Sequence, residues 1–534
     1  MPTASDCLRF KHAAKSKAAK IRAKAVKNLN RKDKLSRGRT IDDYSIATST
    51  DGHLSSNTLK GLFDSFHHSY LHHLQSETEE NLAKSLDLRE KLGHDHPGRP
   101  VHNGHYVRVS PQPLKNPKLI LASEDACTML GLDVDDTTTD EFIKYFSGDV
   151  KGALQSFQDV DLETWATPYA LSIMGKRYTQ DPFGGDGYGD GRAISVGEVL
   201  VPLPFDEGAV ASEVAETAAE AEKQYYPDHA YRFELQLKGS GATPFCRGGD
   251  GRTVLRSSIR EFLASEAMHH LRVGTTRALC LIVSEGEKKK IFFGLKNKKK
   301  EGDISLRPWY SDKQKAQSRT ISTDDPRLAG YSEEDKKEIA NQYNIRAKSE
   351  PDTVVEEKCA VTTRVCRSFI RVGHLDLFAR RVETIKSSAD GSDGVKETPQ
   401  YKELEDLLWH ACYREFYSDA YAPFIEVKDA KGAALALMQG SMKKIAKMVA
   451  GWVRVGFVQG NFNADNCLLS GRTMDYGPFG FIDVYVSTTL LCFELALVWS
   501  ILIINAHTIF VEPILCNSTL LHPNGLHLVN TLDS

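Results

Sequence analysis

The chain has 534 residues, 41% of them hydrophobic, with 68 Lys and Arg against 71 Asp and Glu and a formal net charge of −3. That length exceeds one ordinary domain and implies about two to four packing units, while the apolar share excludes wholesale disorder. The ten cysteines are scattered without the spacing of a secreted scaffold or a paired-cysteine metal site, which favours a reducing compartment, and no nucleic-acid module stands out.

Residues 1–39 are rich in Ala and Lys, and Asp33 is the one acid between positions 9 and 39. Such a stretch builds no core. It reads as an organelle-targeting segment with a mitochondrial address, or as a basic tail; no apolar signal peptide opens the chain. From Leu59 to Leu92, the spacing of Leu62, Phe63, Phe66, Tyr70, Leu71 and Leu74 predicts helical pieces with one apolar face. His67, His68, His72 and His73 on such a helix point in different directions, which weighs against a metal cage. After Pro97 the run Tyr106–Val109 reads as a strand, Pro111 and Pro113 punctuate a loop, and a helix is expected over Ala122–Leu130. The acidic stretch 133–168 reads as short surface helices.

Two glycine-dense segments follow. Gly187-Tyr188-Gly189-Asp190-Gly191-Arg192 leads into the strand-like Ala193–Val196. Glycines there either make an ordinary turn or let backbone amides approach phosphate oxygens, but the spacing is not that of a dinucleotide fingerprint or a Gly-Lys-Ser/Thr loop. Phe233–Gly239 alternates apolar and polar residues as a strand does, with Lys238 at its end. Leu255–Leu271 is expected to be a helix with Ile259, Phe262, Leu263, Ala267 and His270 on one face and Glu261 on another. A strand lysine followed by a helix glutamate is how kinase-like lobes hold phosphates, although a solvated charge is the commoner fate of either residue.

Leu279, Leu281 and Val283 alternate as a further strand, and the lysine run from Lys288 to Lys300 reads as a solvated hairpin end. Residues 311–357 are expected to be loop and exposed helix. Arg364 and Arg371 then place two guanidiniums seven residues apart, suited to phosphate oxygens or to structural ion pairs. A polar linker spans 387–398, and long helices are expected over Leu404–Tyr417 and Gly432–Val458. Beyond them stand Gly460–Asn466 and Asp475-Tyr476-Gly477. Cys467–Leu469 and Thr473–Met474 read as two short strands joined by a turn at Gly471, which brings Asp465, Asn466 and Asp475 to one end of a hairpin. These hard oxygen donors suit Mg²⁺ with a nucleotide's phosphates, or they cap turns. Val484–Val511 has Glu494 as its single charged residue, and Leu495–Val511 approaches the length of a membrane span. A span, a buried helix and a divergent chain end all remain open for it.

In this order the motifs Gly189-Asp190-Gly191-Arg192-Ala193, Leu235–Phe245, Asp250–Met268, Phe369–His374 and Asp475–Asp483 resemble the selenoprotein O family of kinase-fold protein adenylyltransferases, over roughly residues 60–483. The resemblance implies an α+β, two-lobed protein-kinase-like fold with an N-terminal helical extension. Its divisions would be a basic tail over 1–58, the extension over 59–100, an N-terminal lobe with insertions over 101–300, a C-terminal lobe over 301–483 and a divergent apolar segment over 484–534. It implies transfer of AMP from ATP to Ser, Thr or Tyr hydroxyls of protein substrates, with release of diphosphate. A conventional protein kinase and a nucleotide-binding pseudokinase scaffold are the alternatives. Carried over residue by residue, Lys238 is similar to the nucleotide lysine and Glu261 to its ion-pair partner. Gly189, Gly191, Arg192, Asp250 and Gly251 match nucleotide-binding positions, and Arg364 and Arg371 match the arginines on the outer phosphates. Asp465 matches the general base, and Asn466 with Asp475 the ligands of Mg²⁺ or Mn²⁺. The chain departs from the family at Ala170–Gly175, where Ala-Gly-His-Gln-Phe-Gly is usual, and at Gln459, where a histidine is usual. Membrane contact and oligomeric state stay open.

Overall fold

A computed structural model describes residues 58–482, apart from 92–97, 156, 158–162, 174–175, 179–187, 203–229, 247–248, 294–321, 325–327, 329–331, 350–352 and 389–391. The basic stretch 1–39, most of the lysine run and the apolar stretch 484–511 lie outside the described residues. Among the described residues no helix is long and apolar enough to cross a membrane.

The protein is α+β, built on an eight-stranded sheet. Its strands are β1 (Val107–Arg108), β2 (Pro117–Ala122), β3 (Trp165–Ala166), β4 (Ala193–Pro202), β5 (Ala230–Lys238), β6 (Thr253–Val254), β7 (Arg277–Phe293) and β8 (Thr353–Cys366). The order is β1-β3-β4-β5-β8-β7-β2, with β6 paired to β8, and every pairing is antiparallel. The alternation in β5 sorts its side chains as period 2 requires. Phe233, Leu235 and Leu237 enter an apolar core under the sheet with Leu59, Leu62, Phe63 and the helix residues Phe142, Tyr145 and Phe146. Glu234, Gln236 and Lys238 alternate with them and are also buried, so the second face of β5 is a buried polar surface. Register sets Arg364 of β8 opposite Gln236 and Thr362 opposite Lys238.

The strands β7 and β8 form a long hairpin arm in which Lys288, Lys289 and Lys290 pair with Lys358, Glu357 and Glu356. Lys289 thus faces an acid, Glu357, whereas Lys288 faces Lys358, a pair of like charge. Residues 333–349 are a helix and Thr353 already belongs to β8, so the expected loop ends earlier than its composition suggested.

Helix α1 (Leu255–His270) lies against the sheet. Its buried residues are Ser258, Glu261, Phe262, Ala264, Ser265 and Met268, whereas Leu263 is 55% exposed. The expected face is therefore rotated. The polar face of β5 draws Glu261 inward, and a buried ion pair outweighs the burial of one leucine here. Later in the chain three helices pack on one another: α2 (Val372–Ser388), α3 (Pro399–Glu415) and α4 (Ala430–Val455). Thr398 caps α3 ahead of Pro399, Asp429 caps α4, and Gly456 ends it in the left-handed conformation at φ 70°. Their inward residues, among them Leu375, Phe378, Leu407, Leu408, Leu437, Ile445 and Trp452, form a second core. Cys366 ends β8 and Val372 begins α2, so the short segment 367–371 carries the chain from the sheet to the helices.

Candidate active site

Where β5 and β8 meet α1, four charged side chains close on one another. Lys238 Nζ lies 2.5 Å from Glu261 Oε2 and 3.0 Å from Asp475 Oδ1. Arg364 Nε lies 2.5 Å from Glu261 Oε1, and its guanidinium reaches Asp475 Oδ1 at 3.6 Å. Two cations and two anions thus alternate around a ring with no net charge. Burial would push both carboxyls up, but Arg364 and Lys238 overcome it at Glu261, and Lys238 and Arg364 overcome it at Asp475, so both acids are held below their ordinary range. Burial, then the Arg364 charge, lowers the Lys238 pKa. Gln236 Oε1 accepts from Arg364 at 3.4 Å. Arg192 is exposed at the edge of this cluster, close enough for its charge to bear on Lys238 and Asp475.

Arg371 sits in a second buried cluster. Its Nη2 donates to Asp190 Oδ1 at 2.7 Å, its Nε reaches Met474 Sδ at 3.3 Å, and its guanidinium carbon stands 4.4 Å from the centre of the Tyr169 ring. Its Nη1 is buried with no hydrogen-bond partner among the described residues. Burial disfavours this cation, yet Asp190, Tyr169 and Asp465 more than restore it and its pKa is raised. Asp465 therefore acts on the same space as Arg371.

Backbone pairing explains that proximity. Val372 N donates to Cys467 O at 2.9 Å, Gly373 N to Ala464 O at 2.8 Å, Leu469 N to Ile370 O at 3.0 Å and Ala170 N to Gly373 O at 2.7 Å. A Cβ on Gly373 would stand 2.7 Å from Ala170 O and 3.0 Å from Ala464 O, so glycine lets three segments run side by side. The expected hairpin is reduced to one antiparallel bridge, Cys467 to Thr473, turned at Gly471 with φ 63°. Asn466 is one residue from that bridge and Asp475 two. Asp465 N donates to Asn463 Oδ1 at 3.1 Å, and Asn466 Nδ2 donates to Asn461 O at 2.9 Å. Gln459, where the family's histidine was expected, donates to Asp475 O at 2.6 Å and so holds the Asp475 segment.

The glycine positions serve close packing. A Cβ on Gly189 would lie 2.3 Å from the Phe245 ring, and one on Gly191 2.7 Å from Phe245 O. Gly251, at φ +69°, would place a Cβ 1.9 Å from Gly241 C. Asp250 is exposed and its Oδ1 pairs with Lys289; neither Asp250 nor Gly251 hydrogen-bonds to the four-charge ring. The structure thus gathers Lys238, Glu261, Arg364 and Asp475, and separately Arg371 with Asp465, while Asp250 stands off. Sequence reasoning gave no role to Asp190, Thr167 or His374. Asp190 was visible between two glycines, but its partner lies 181 positions away, beyond any local pattern. His73 and His410 meet through Nδ1 atoms 3.1 Å apart, and among the described residues no three His, Cys, Asp or Glu side chains gather to hold a metal.

The family described as protein adenylyltransferase SelO matches residues 223–290 and 341–492. A protein nucleotidyltransferase YdiU of Aromatoleum aromaticum is 32% identical over 408 residues, covering 75% of this chain and 56% of the relative. That of Xylella fastidiosa is 31% identical, covering 71% and 50%, and that of an Azoarcus species is 32% identical, covering 72% and 51%. The chain spans about half the length of these curated relatives. All three come from bacteria, which have no mitochondria, and this corrects the mitochondrial address expected from the basic N-terminal stretch. On these matches, the chain belongs to the SelO family.

Proposed function

We propose that this chain is an ATP-dependent protein adenylyltransferase with a two-lobed, kinase-like fold. The sheet unit and the helical unit would be the lobes, joined at 367–371 instead of near residue 300, because Thr353–Cys366 is hydrogen-bonded into the sheet. The observation that carries the reading is the closed ring of Lys238, Glu261, Arg364 and Asp475, whose two oriented cations are suited to the oxygens of a triphosphate. Arg371 supports it: a buried guanidinium with three directions engaged and Nη1 unengaged is suited to an outer phosphate oxygen.

In this reading Lys238, Arg364 and Arg371 neutralise and fix the phosphates, Arg192 meets the nucleotide at the mouth, and Asp250, Gly189, Gly191 and Gly251 shape the loops around it. Asp465 accepts the proton of a substrate Ser, Thr or Tyr hydroxyl as its oxygen attacks the α phosphorus. The bond from that phosphorus to the bridging oxygen breaks, and diphosphate leaves with its charge held by the arginines and the lysine. Mg²⁺ or Mn²⁺ fits the oxygen donors of Asn466 and Asp475, since both ion-pair contacts of Asp475 fall on Oδ1, and would supply neutralisation of developing phosphate charge.

ATP labelled at the α phosphate and, separately, at the γ phosphate tests the reaction. Label should reach protein from the α position and appear as a mass increase of one AMP. Label from the γ position alone would establish a kinase, and no transfer with retained ATP binding would establish a scaffold.

A further inference from the structure

We propose that His374 is a positioning residue that sets the Arg371 guanidinium through Thr167 and Asp190, and thereby governs the grip on the outer phosphates of the nucleotide. The inference rests on the nucleotide-binding reading above and adds a residue and a mechanism to it.

The four side chains form a closed circuit that begins and ends on one residue. Arg371 N donates to His374 Nδ1 at 2.9 Å. Because Nδ1 accepts, the ring proton belongs on Nε2, which faces Thr167 Oγ1 at 2.9 Å. The threonine hydroxyl then has its own hydrogen for Asp190 Oδ2, 2.6 Å away. Thr167 N also donates to that oxygen, at 3.2 Å. This leaves Oδ1 of the same carboxylate for Arg371 Nη2 at 2.7 Å. Donation thus runs from Arg371 N through His374 and Thr167 to Asp190, which also accepts from Arg371 Nη2, and the circuit ties the side chain of Arg371 to its own backbone.

Nothing in the circuit is left to solvent: Thr167 is 6% exposed, Asp190 3%, Arg371 2% and His374 1%. The Asp190 backbone is fixed as well, its N–H donating to Thr167 O at 2.9 Å and its carbonyl accepting from Thr243 Oγ1 at 2.5 Å. Burial, then the Arg371 charge, lowers the His374 pKa to about 3, which keeps the ring neutral. A doubly protonated ring would turn an N–H toward the Arg371 N–H and break the circuit. Tyr169 and Met474 limit the guanidinium on its remaining sides, so the direction of Nη1 follows from where Asp190 is held. A hydrophobic residue at 374 or 167 would fill the space without passing on that orientation.

The test compares ATP and AMP binding to the full chain and to Thr167→Val, His374→Leu and His374→Gln, each checked for an unchanged melting temperature. AMP lacks the outer phosphates and serves as the internal control. Thr167→Val and His374→Leu should weaken ATP about tenfold while AMP is unchanged, as expected for disturbing one hydrogen bond to a charged group. His374→Gln, whose amide can still donate toward Thr167, should recover most of the loss. Folded Thr167→Val protein that keeps the parent's ATP affinity overturns the inference. So does an equal loss of ATP and AMP, which would mark a structural role only. A parent that holds AMP as tightly as ATP overturns the outer-phosphate reading itself, and this inference with it.

Discussion

Lys238 Nζ stands 2.5 Å from Glu261 Oε2 on helix α1 and, at 3.0 Å, also meets Asp475 Oδ1 beyond α4. One ammonium thus joins the sheet, the helix packed on it and the segment that follows the helical core. Arg364 meets the same two carboxylates. Removing one acid would leave two buried cations facing a single anion, the circumstance in which breaking a buried pair is costly. Glu261→Gln should lose about 3–5 kcal/mol of stability in urea denaturation. A loss under about 1 kcal/mol, the range of exposed pairs, would mean that solvent already screens the ring.

Asp465 and Asp475 are both acids near the Cys467–Thr473 bridge, yet their surroundings differ, and the proposed roles divide along that difference. Asp475 is engaged by Lys238 and Arg364, whereas Asp465 lies toward Arg371. Asp465→Asn should therefore keep ATP binding and lose transfer by about 10²–10⁴-fold, the usual contribution of a general base. Asp475→Asn should instead weaken the metal dependence of transfer and loosen Lys238. Equal ATP affinities and equal metal-titration midpoints in the two variants would contradict this division.

The strand β5, the helix α1 and the turn at Gly471 were legible because each is written locally. Alternation in Phe233–Lys238 gives the strand, helical spacing gives α1, and Gly471 between two short apolar runs gives the turn that brings Cys467 to Thr473. The orientation of α1 was not legible, since reading Leu263 as core assumes that apolar residues define the buried face. Here the partner surface is polar, and only the tertiary pairing with Lys238 and Arg364 turns Glu261 inward. The glycines near 190 illustrate a second limit. Their sequence announces close approach without naming what approaches, and the neighbour of Gly189 is the Phe245 ring. Two links of the His374 circuit span 181 and 207 positions, separations that no periodicity encodes.

Gly189 and Gly480 make a matched pair of tests for that packing. A Cβ at Gly189 would stand 2.3 Å from Phe245 Cγ, while one at Gly480 would meet nothing within 4 Å. Phe245 is 3% exposed and has little room to yield. Gly189→Ala should cost about 1–3 kcal/mol by overpacking, and Gly480→Ala should be neutral or slightly stabilising through its smaller unfolded-state entropy. Melting temperatures that fall equally in both would show that the loop, not the ring, sets the requirement.

Glu234 supplies a pH dependence with a definite sign. Burial and the nearby Glu198 charge push its pKa up to about 7, against opposing help from Ser195, Arg414 and Phe369 N. A carboxyl raised in the folded state favours folding fully below its unfolded value, about 4.3, and that contribution is lost as pH rises through about 7. Over this window the loss is on the order of 3 kcal/mol. Glu198 has the opposite sign: its folded pKa is lowered to about 2, against burial, by Arg414 and Arg232, so its stabilisation fades only as acid is added below the ordinary carboxylate range. Buried neutral His68, lowered to about 4, and His73 and His374, lowered to about 3, also reduce stability on acidification below about 6.5. The parent curve mixes these slopes, and the difference between parent and Glu234→Gln isolates one of them. Glutamine can still accept from Phe369 N and donate to Ser195 Oγ, the two partners that Glu234 now holds at 3.1 Å and 2.5 Å. The stability advantage of Glu234→Gln over the parent should grow from pH 5 to pH 8 and then level off. An advantage that is flat with pH would mean that Glu234 titrates at its ordinary value and that the polar face of β5 is wetter than its burial implies.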